Sequence, residues 1–257
     1  MPDGTTPTQF VDESVAFTVK VACECYCSLD LVRGALSQLP VCNGALAWSA
    51  PRMPDKDTLD TDSDVVLIVS DKCTLGQAID RLSRYEELGR EAPSHVLIYL
   101  QDNENVSAED IAGLTLPREH LATGLTSLTR AAFLPIIPQG LICVDWCDTR
   151  HIFEMAGQIV IEEASGSRIE EVIESAIARV HDSATGRPIH GMQASILCSP
   201  GKLATRSVAR LSDACKGITR DDATIILAAP WMDWPDIDYY EVRTFARIEC
   251  RKPERIG

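Results

Sequence analysis

A chain of 257 residues with 45% hydrophobic side chains can bury a sizeable core, which excludes wholesale disorder. Its formal net charge of −14 argues against nucleic acid or an anionic membrane surface as a partner, and no Lys/Arg cluster offsets it locally. No apolar run reaches the roughly 18–20 residues that span a bilayer, so direct membrane insertion is not expected. Met1 to Pro7 are polar and include an acid, unlike a secretory leader. The ten cysteines follow no framework spacing, which points to free thiols in a reducing, cytoplasmic setting.

Residues 1–14 are expected to form a flexible N-terminus. Phe17 to Ala22 is a short β-like run, Leu29 to Leu39 has helical periodicity, and Gly44 to Trp48 suggests another short strand. Pro51 to Asp64, rich in Pro and Asp, reads as a loop. Val65 to Val69 is a continuous apolar run of the kind buried on both faces of a parallel sheet. A helix over Leu75 to Leu88 and a strand over Val96 to Leu100 complete a β-α-β rhythm, the mark of a doubly wound α/β layer.

Ser107-Ala-Glu-Asp110 has the spacing of a capping box for a short helix. A longer helix follows Pro117, with Leu121, Leu125, Leu128 and Ala132 on one stripe, and Pro135 and Pro138 end it. Gly124 weakens that helix by about 1 kcal/mol relative to Ala. The second half then runs strand-helix-strand-helix-strand-strand. Gln158 to Glu162 is its first strand, and Ser167-Arg-Ile-Glu170 has capping-box spacing before a helix carrying Ile169, Val172, Ile173, Ala176, Ile177 and Val180 on one face. Ala194 to Cys198 and Ala223 to Ala229 read as buried strands, with Val208, Leu211 and Cys215 marking a helix between them. The last strand alternates Val242, Thr244, Ala246 and Ile248 against Arg243, Arg247 and Glu249, which predicts one wet face. This order describes an α+β unit with helices on one face.

Several clusters carry residue types suited to chemistry. Cys23, Cys25 and Cys27 alternate with period two, so in one extended strand their thiols would share a face and could hold a soft metal with Cys42 or Cys73. Burial as small apolar residues is the simpler reading of the same spacing. Cys143 and Cys147 lie four apart, with His151 the one histidine in reach. The five histidines are dispersed, and no nucleophile elbow or zinc-protease motif appears. Pro230-Trp-Met-Asp-Trp-Pro-Asp236 reads as a packed hairpin, or else as an exposed partner-binding knob.

One stretch, Gly140-Leu-Ile-Cys-Val-Asp-Trp-Cys-Asp-Thr-Arg150, resembles the loop written GLINVDFADVR in FtsZ, the bacterial tubulin. Gly124-Leu-Thr-Ser-Leu-Thr-Arg130 stands where that family ends its central helix. Ile159 to Ser165, Asp221-Asp-Ala-Thr-Ile-Ile226 and Tyr240-Glu-Val-Arg243 match its A-S-G, D-A-T-I-I and E-V-R-V segments. The similarity covers residues 118 to 250, and over residues 15 to 105 it rests on element order.

The resemblance implies a tubulin/FtsZ-like fold. Residues 15–135 would form a reduced nucleotide-binding-like α/β domain with the central helix, residues 136–150 an inter-subunit catalytic-type loop, and residues 151–252 an α+β C-terminal domain. In that family the loop enters the nucleotide site of the next subunit, and its carboxylates position the water that attacks the γ-phosphate. Asp145 and Asp148 match those carboxylates by position, while Cys143 replaces an Asn. Capping of the following helix is a second role for the same two acids, compatible with the first.

The receiving half departs from the family. Glycines let backbone N–H groups close on phosphates, and the family places glycine-rich loops after its first strand and, as GGGTGTG, after its fourth. Here those positions read Ala22-Cys-Glu-Cys-Tyr-Cys-Ser28 and Ser70-Asp-Lys-Cys-Thr-Leu-Gly76. Cys23, Glu24, Cys25, Asp71, Lys72 and Gly76 would be a degenerate remnant, with Glu24 and Asp71 repelling a triphosphate.

These features together predict a pseudo-GTPase without cofactor that acts as an interaction protein. Its partner would be an FtsZ-like protein, or another copy of itself, met through Gly140 to Arg150, and it would cap or modulate a cell-division filament in the bacterial cytoskeleton. Family members carry a tail whose last peptide recruits membrane tethers; with Gly257 soon after the last strand, tethering by that route is not expected. Two alternatives remain open: a divergent polymerising GTPase using GTP with Mg2+, and a thiol-based metal or redox module.

Overall fold

The computed structural model describes residues 17–24, 26–37, 46–49, 59–89, 92–101, 111–136, 140–232 and 238–250. The expected flexible N-terminus, the short helix after Ser107, Cys25, Cys42 and most of the Pro230–Asp236 turn lie outside them, as does the Cys27 side chain.

Five parallel strands form the first sheet: β1 (Phe17–Cys23), β2 (Leu46–Trp48), β3 (Val65–Ser70), β4 (Ser94–Gln101) and β5 (Leu114–Pro117), in the order β2-β1-β3-β4-β5. All of β3 is buried, as an apolar run covered on both faces requires. Helices α1 (Tyr26–Leu36) and α2 (Leu75–Leu88) follow β1 and β3. The first begins three residues before its expected start at Leu29, and the second matches its expected span.

After β5 the chain runs helically from Arg118 to Ile136. It makes one 3-10 turn, then α3 (Leu121–Leu128), a π-helical stretch over Thr129–Phe133 and a last 3-10 turn over Leu134–Ile136. Leu121, Leu125, Leu128 and Ala132 are fully buried on one stripe. A Cβ on Gly124 would come within 2.4 Å of Leu116, so the glycine brings the helix close to β5. Packing offsets its propensity cost.

The second sheet has the order β6-β9-β8-β10-β7, built from β6 (Gly140–Ile142), β7 (Gln158–Gly166), β8 (Ile189–Cys198), β9 (Thr224–Pro230) and β10 (Tyr240–Ile248). Within it β8 and β9 pair in parallel, and the other neighbours are antiparallel. Helices α5 (Ile169–Ala184) and α6 (Thr205–Ile218) pack on one face. The central helix and α4 (Trp146–Phe153) approach the other.

That second cover overturns the expected wet face of β10, on which Glu241, Arg243 and Arg247 are all buried. Their polar groups are bonded inside the protein. Arg243 grips Glu241 at 2.9 and 2.6 Å, Arg130 of the central helix donates to the same carboxylate at 2.7 Å, and Arg247 donates to backbone carbonyls. Burial lowers the Arg243 pKa, and its hydrogen bonds to Glu241 oppose that shift. β9 departs in the other direction, with its first four residues only half-buried.

The capping box expected at Ser167 is not made: the N-cap of α5 is Arg168, with no side-chain cap. The two sheets meet at a backbone seam. Gly113 N–H donates to Gly157 O at 3.1 Å, and Ile159 N–H donates to Gly113 O at 2.7 Å. Gly113 holds φ 142°, and a Cβ there would lie 2.4 Å from Leu97 O, so no other residue fits this contact. One apolar core spans both sheets, running from Val19 on β1 and Leu67 on β3 through Phe133 and Phe153 to Phe245.

Candidate functional site

Two surfaces carry the sequence-predicted residues. In a parallel sheet the turns after β1 and β3 emerge at the same end, so Glu24 and the Ser70–Thr74 turn are neighbours. Glu24 N–H donates to Val69 O at 2.9 Å. The Glu24 carboxylate does not face an open cradle. It turns to α2, where Arg81 Nε lies 2.5 Å from its Oε1 and both groups are buried.

Asp71 closes the second turn on itself. Its Oδ1 accepts from Cys73 N at 3.0 Å, from Thr74 N at 3.2 Å and from the Thr74 hydroxyl at 3.1 Å. These donors precede α2, where a helix dipole favours an anion, and the carboxylate supplies one from within the chain. Arg118, at the start of the central helix, completes the arrangement. Its Nη1 donates to Ser28 Oγ at 2.9 Å and its Nη2 lies 3.4 Å from Asp71 Oδ2. Lys72 is exposed. Gly76 is an ordinary residue of the first turn of α2, and a Cβ there would meet nothing.

The period-two thiol face has no strand to support it. β1 ends at Cys23 and the chain is helical from Tyr26, so Cys27 belongs to α1. Among the described residues no group of three or more His, Cys, Asp or Glu side chains could hold a metal. No disulfide joins the described cysteines; Cys73, Cys143 and Cys147 are exposed, while burial raises the pKa of Cys198 and pushes Cys215 up to about 12.

The second surface is the Gly140–Arg150 segment. Strand β6 pairs Gly140 with Pro230 and Ile142 with Ala229, and a Cβ on Gly140 would lie 2.2 Å from Ala229 O. From there the side chains divide. Val144 is buried, Trp146 packs tilted against Phe17 at 4.7 Å and edge-on against Phe153 at 5.7 Å, and the buried Thr149 hydroxyl donates to Gln193 at 2.7 Å. Gln193 in turn donates to Ala131 O at 3.0 Å, within the π-helical stretch, so one amide joins the central helix, α4 and β8. Facing out are Leu141, Cys143, Asp145, Cys147 and Asp148. Asp145 is the N-cap of α4. Its Oδ1 accepts from Asp148 N at 3.0 Å, and Asp148 reaches back to Asp145 N at 3.5 Å, which makes a capping box.

Trp146 rests on Phe17, where β1 begins, whereas Glu24 follows its end. A strand of this length spans about 20 Å, so the two surfaces occupy opposite ends of the sheet. Sequence reasoning missed Arg81 and Arg118. Neither has a local signature, because their partners Glu24 and Asp71 are 57 and 47 residues away.

No family model matches the chain, and no curated protein matches it by sequence. Solved structures do match in three dimensions. An FtsZ W319Y mutant from M. jannaschii superposes with TM-score 0.60 at 14% identity over 90% of this chain and 91% of its own. A CetZ from Methanosaeta thermophila strain DSM 6194 gives 0.58 at 10% identity over 93% and 88%. TubZ of Bacillus thuringiensis serovar israelensis, solved as GDP-form protofilaments, gives 0.55 at 11% identity over 74% and 63%.

Proposed function

Starting from a chain with a divergent FtsZ/tubulin-like cytoskeletal fold, we propose that it is a pseudo-GTPase acting as an interaction protein that caps or modulates an FtsZ-type filament. The observation that carries this reading is Asp71. Its carboxylate takes the N–H groups of Cys73 and Thr74 in the turn before α2, donors of the kind a phosphate cradle would need, and Arg118 stands beside it. A triphosphate would have to displace a buried carboxylate and tolerate its charge. The residues present therefore do not fit GTP with Mg2+.

Filament formation needs two complementary ends on each subunit. On this reading residues 15–135 are the reduced nucleotide-binding-like domain and residues 151–252 the C-terminal domain. Residues 136–150 carry the surface that docks on a partner's nucleotide face, through Asp145 and Asp148. A subunit with that surface and no nucleotide face of its own joins a filament end and stops its growth. TubZ has been solved as protofilaments, and so has CetZ2 from Haloferax volcanii, in a GTPγS-bound form; an FtsZ-like neighbour in the bacterial cytoplasm is the partner this favours.

Calorimetry with GTP and Mg2+ is expected to show no binding, and substoichiometric addition to an FtsZ polymerisation reaction is expected to shorten polymers and lower GTP turnover. Micromolar GTP binding would replace this reading with that of a divergent GTPase. Unchanged polymer length and turnover would remove the filament role.

A further inference from the structure

A cleft of about 490 Å³ lies between the end of α2 and the start of β4 on one side and the end of α4 on the other. Leu82, Tyr85 and Leu97 line it from the first sheet's side, and Phe153 and Met155 from the second's. Arg247 of β10 also lines it and is only 4% exposed.

Three carbonyls hold the guanidinium, and its carbon lies 6.0 Å from the centre of the Phe245 ring. Nε donates to Ile152 O at 3.3 Å, Nη1 donates to Gly157 O at 2.9 Å, and Nη2 donates to Phe153 O. These bonds cap the carbonyl end of α4 and fix the plane of the group. A guanidinium has five N–H donors, so two are left over. Among the described residues no carboxylate pairs with it. Burial lowers its pKa to about 9, so it is still a cation at neutral pH. Neutral carbonyls orient such a charge without balancing it, and buried charges are ordinarily paired.

Among the described residues, the acids that line the cleft do not make up the difference. Glu154 is engaged by Arg150 Nε at 2.6 Å and by Ser94 Oγ at 2.9 Å, and Glu86 is exposed on α2. We propose that this cleft is a binding site for a small amphipathic monoanion, a carboxylate on an apolar body. The carboxylate takes the two remaining N–H groups of Arg247. The body lies against Leu82, Tyr85, Leu97, Phe153 and Met155. His95 stacks on Tyr85 at 5.3 Å in the wall of the cleft. Arg150 is matched there by Glu154, so Arg247 is the one lining cation without a carboxylate among the described residues, and Glu86 disfavours a second negative charge on the ligand. The volume falls in the range of small-molecule sites, and a body of about ten carbons fits it.

The test uses decanoate, with decanol as its neutral counterpart, in calorimetric titrations of the full chain. Saturable one-to-one binding of decanoate is expected, with decanol weaker by about tenfold or more. Ala156 is exposed and lines the cleft, so Ala156→Trp fills the mouth without entering the core and is expected to weaken decanoate about tenfold or more at unchanged melting temperature. Arg247→Gln is expected to abolish the preference for decanoate over decanol; should it fail to fold, Ala156→Trp and decanol decide. No saturable binding at millimolar decanoate, equal affinity for decanol, or full affinity in Ala156→Trp would overturn the proposal.

Discussion

Arg81 and Glu24 form a buried ion pair, with Nε to Oε1 at 2.5 Å and side chains 7% and 6% exposed. The pair ties the turn after β1 to α2 across the place where a cradle would open. Removing one partner strands the other charge, so Arg81→Leu is expected to cost about 3–5 kcal/mol. The double variant Glu24→Gln/Arg81→Leu is expected to recover most of that loss. Urea unfolding of the four proteins measures the coupling; additive losses would mean the two charges are not interdependent.

The helix cap made by Asp145 and its proposed partner contact separate by substitution. Asp145→Ser keeps an oxygen for the Asp148 N–H and should leave stability within about 0.5 kcal/mol, whereas Asp145→Ala should lose about 1 kcal/mol. Both remove the carboxylate. Loss of the effect on FtsZ polymers in both variants, with stability falling in only one, would assign the charge to the partner and the cap to the fold.

Gln193 joins three elements through one amide. Gln193→Leu would leave the Ala131 carbonyl and the Thr149 hydroxyl without it, at a cost of about 2–4 kcal/mol. The loss should be accompanied by faster proteolysis within Gly140–Arg150, because Thr149 anchors that segment. Limited chymotrypsin digestion, which cuts after Leu141 or Trp146, beside a thermal melt reads both.

Cys215 gives a pH dependence with a definite sign. Its pKa rises from 9.0 to about 12 through burial. Below pH 9 both folded and unfolded states keep the proton, and its contribution is fully present. Between pH 9 and about 12 only the unfolded thiol ionises, so stability falls by about 1.4 kcal/mol per pH unit. Cys215→Ala should flatten that part of the profile, at a cost of about 1–2 kcal/mol near neutral pH for the cavity. Urea midpoints at about pH 8 and about pH 10.5, either side of the unfolded thiol's pKa, give the two slopes. Equal slopes would mean the thiol is not shielded.

Periodicity carried most of the fold. β3, α2, the central stripe and the face of α5 follow from apolar spacing, because each buries one continuous surface. The three-residue β6 left no periodic trace, and its pairing with β9 depends on how close Gly140 can come. β10 shows why alternation misleads: period two reports which side chains share a face, not what covers that face. Arg243 and Arg247 are polar in sequence and buried in fact, because the central helix and α4 cover them, while a carboxylate pairs with Arg243 and carbonyls accept the hydrogen bonds of Arg247. At the turns after β1 and β3 the residue types Glu24 and Asp71 were readable from the sequence. Their directions were not, since Arg81 and Arg118 come from distant elements.

The seam at Gly113 has a mechanical consequence. Its two hydrogen bonds lie between β5 and β7, and β5 runs parallel to β1, the strand that joins the two candidate interaction ends. Tension applied between those ends would act along the strands, so both bonds would stretch together instead of parting one after the other. A pull across the strands would peel them singly. The seam is accordingly stiffer against sliding of one sheet along the other than against their separation.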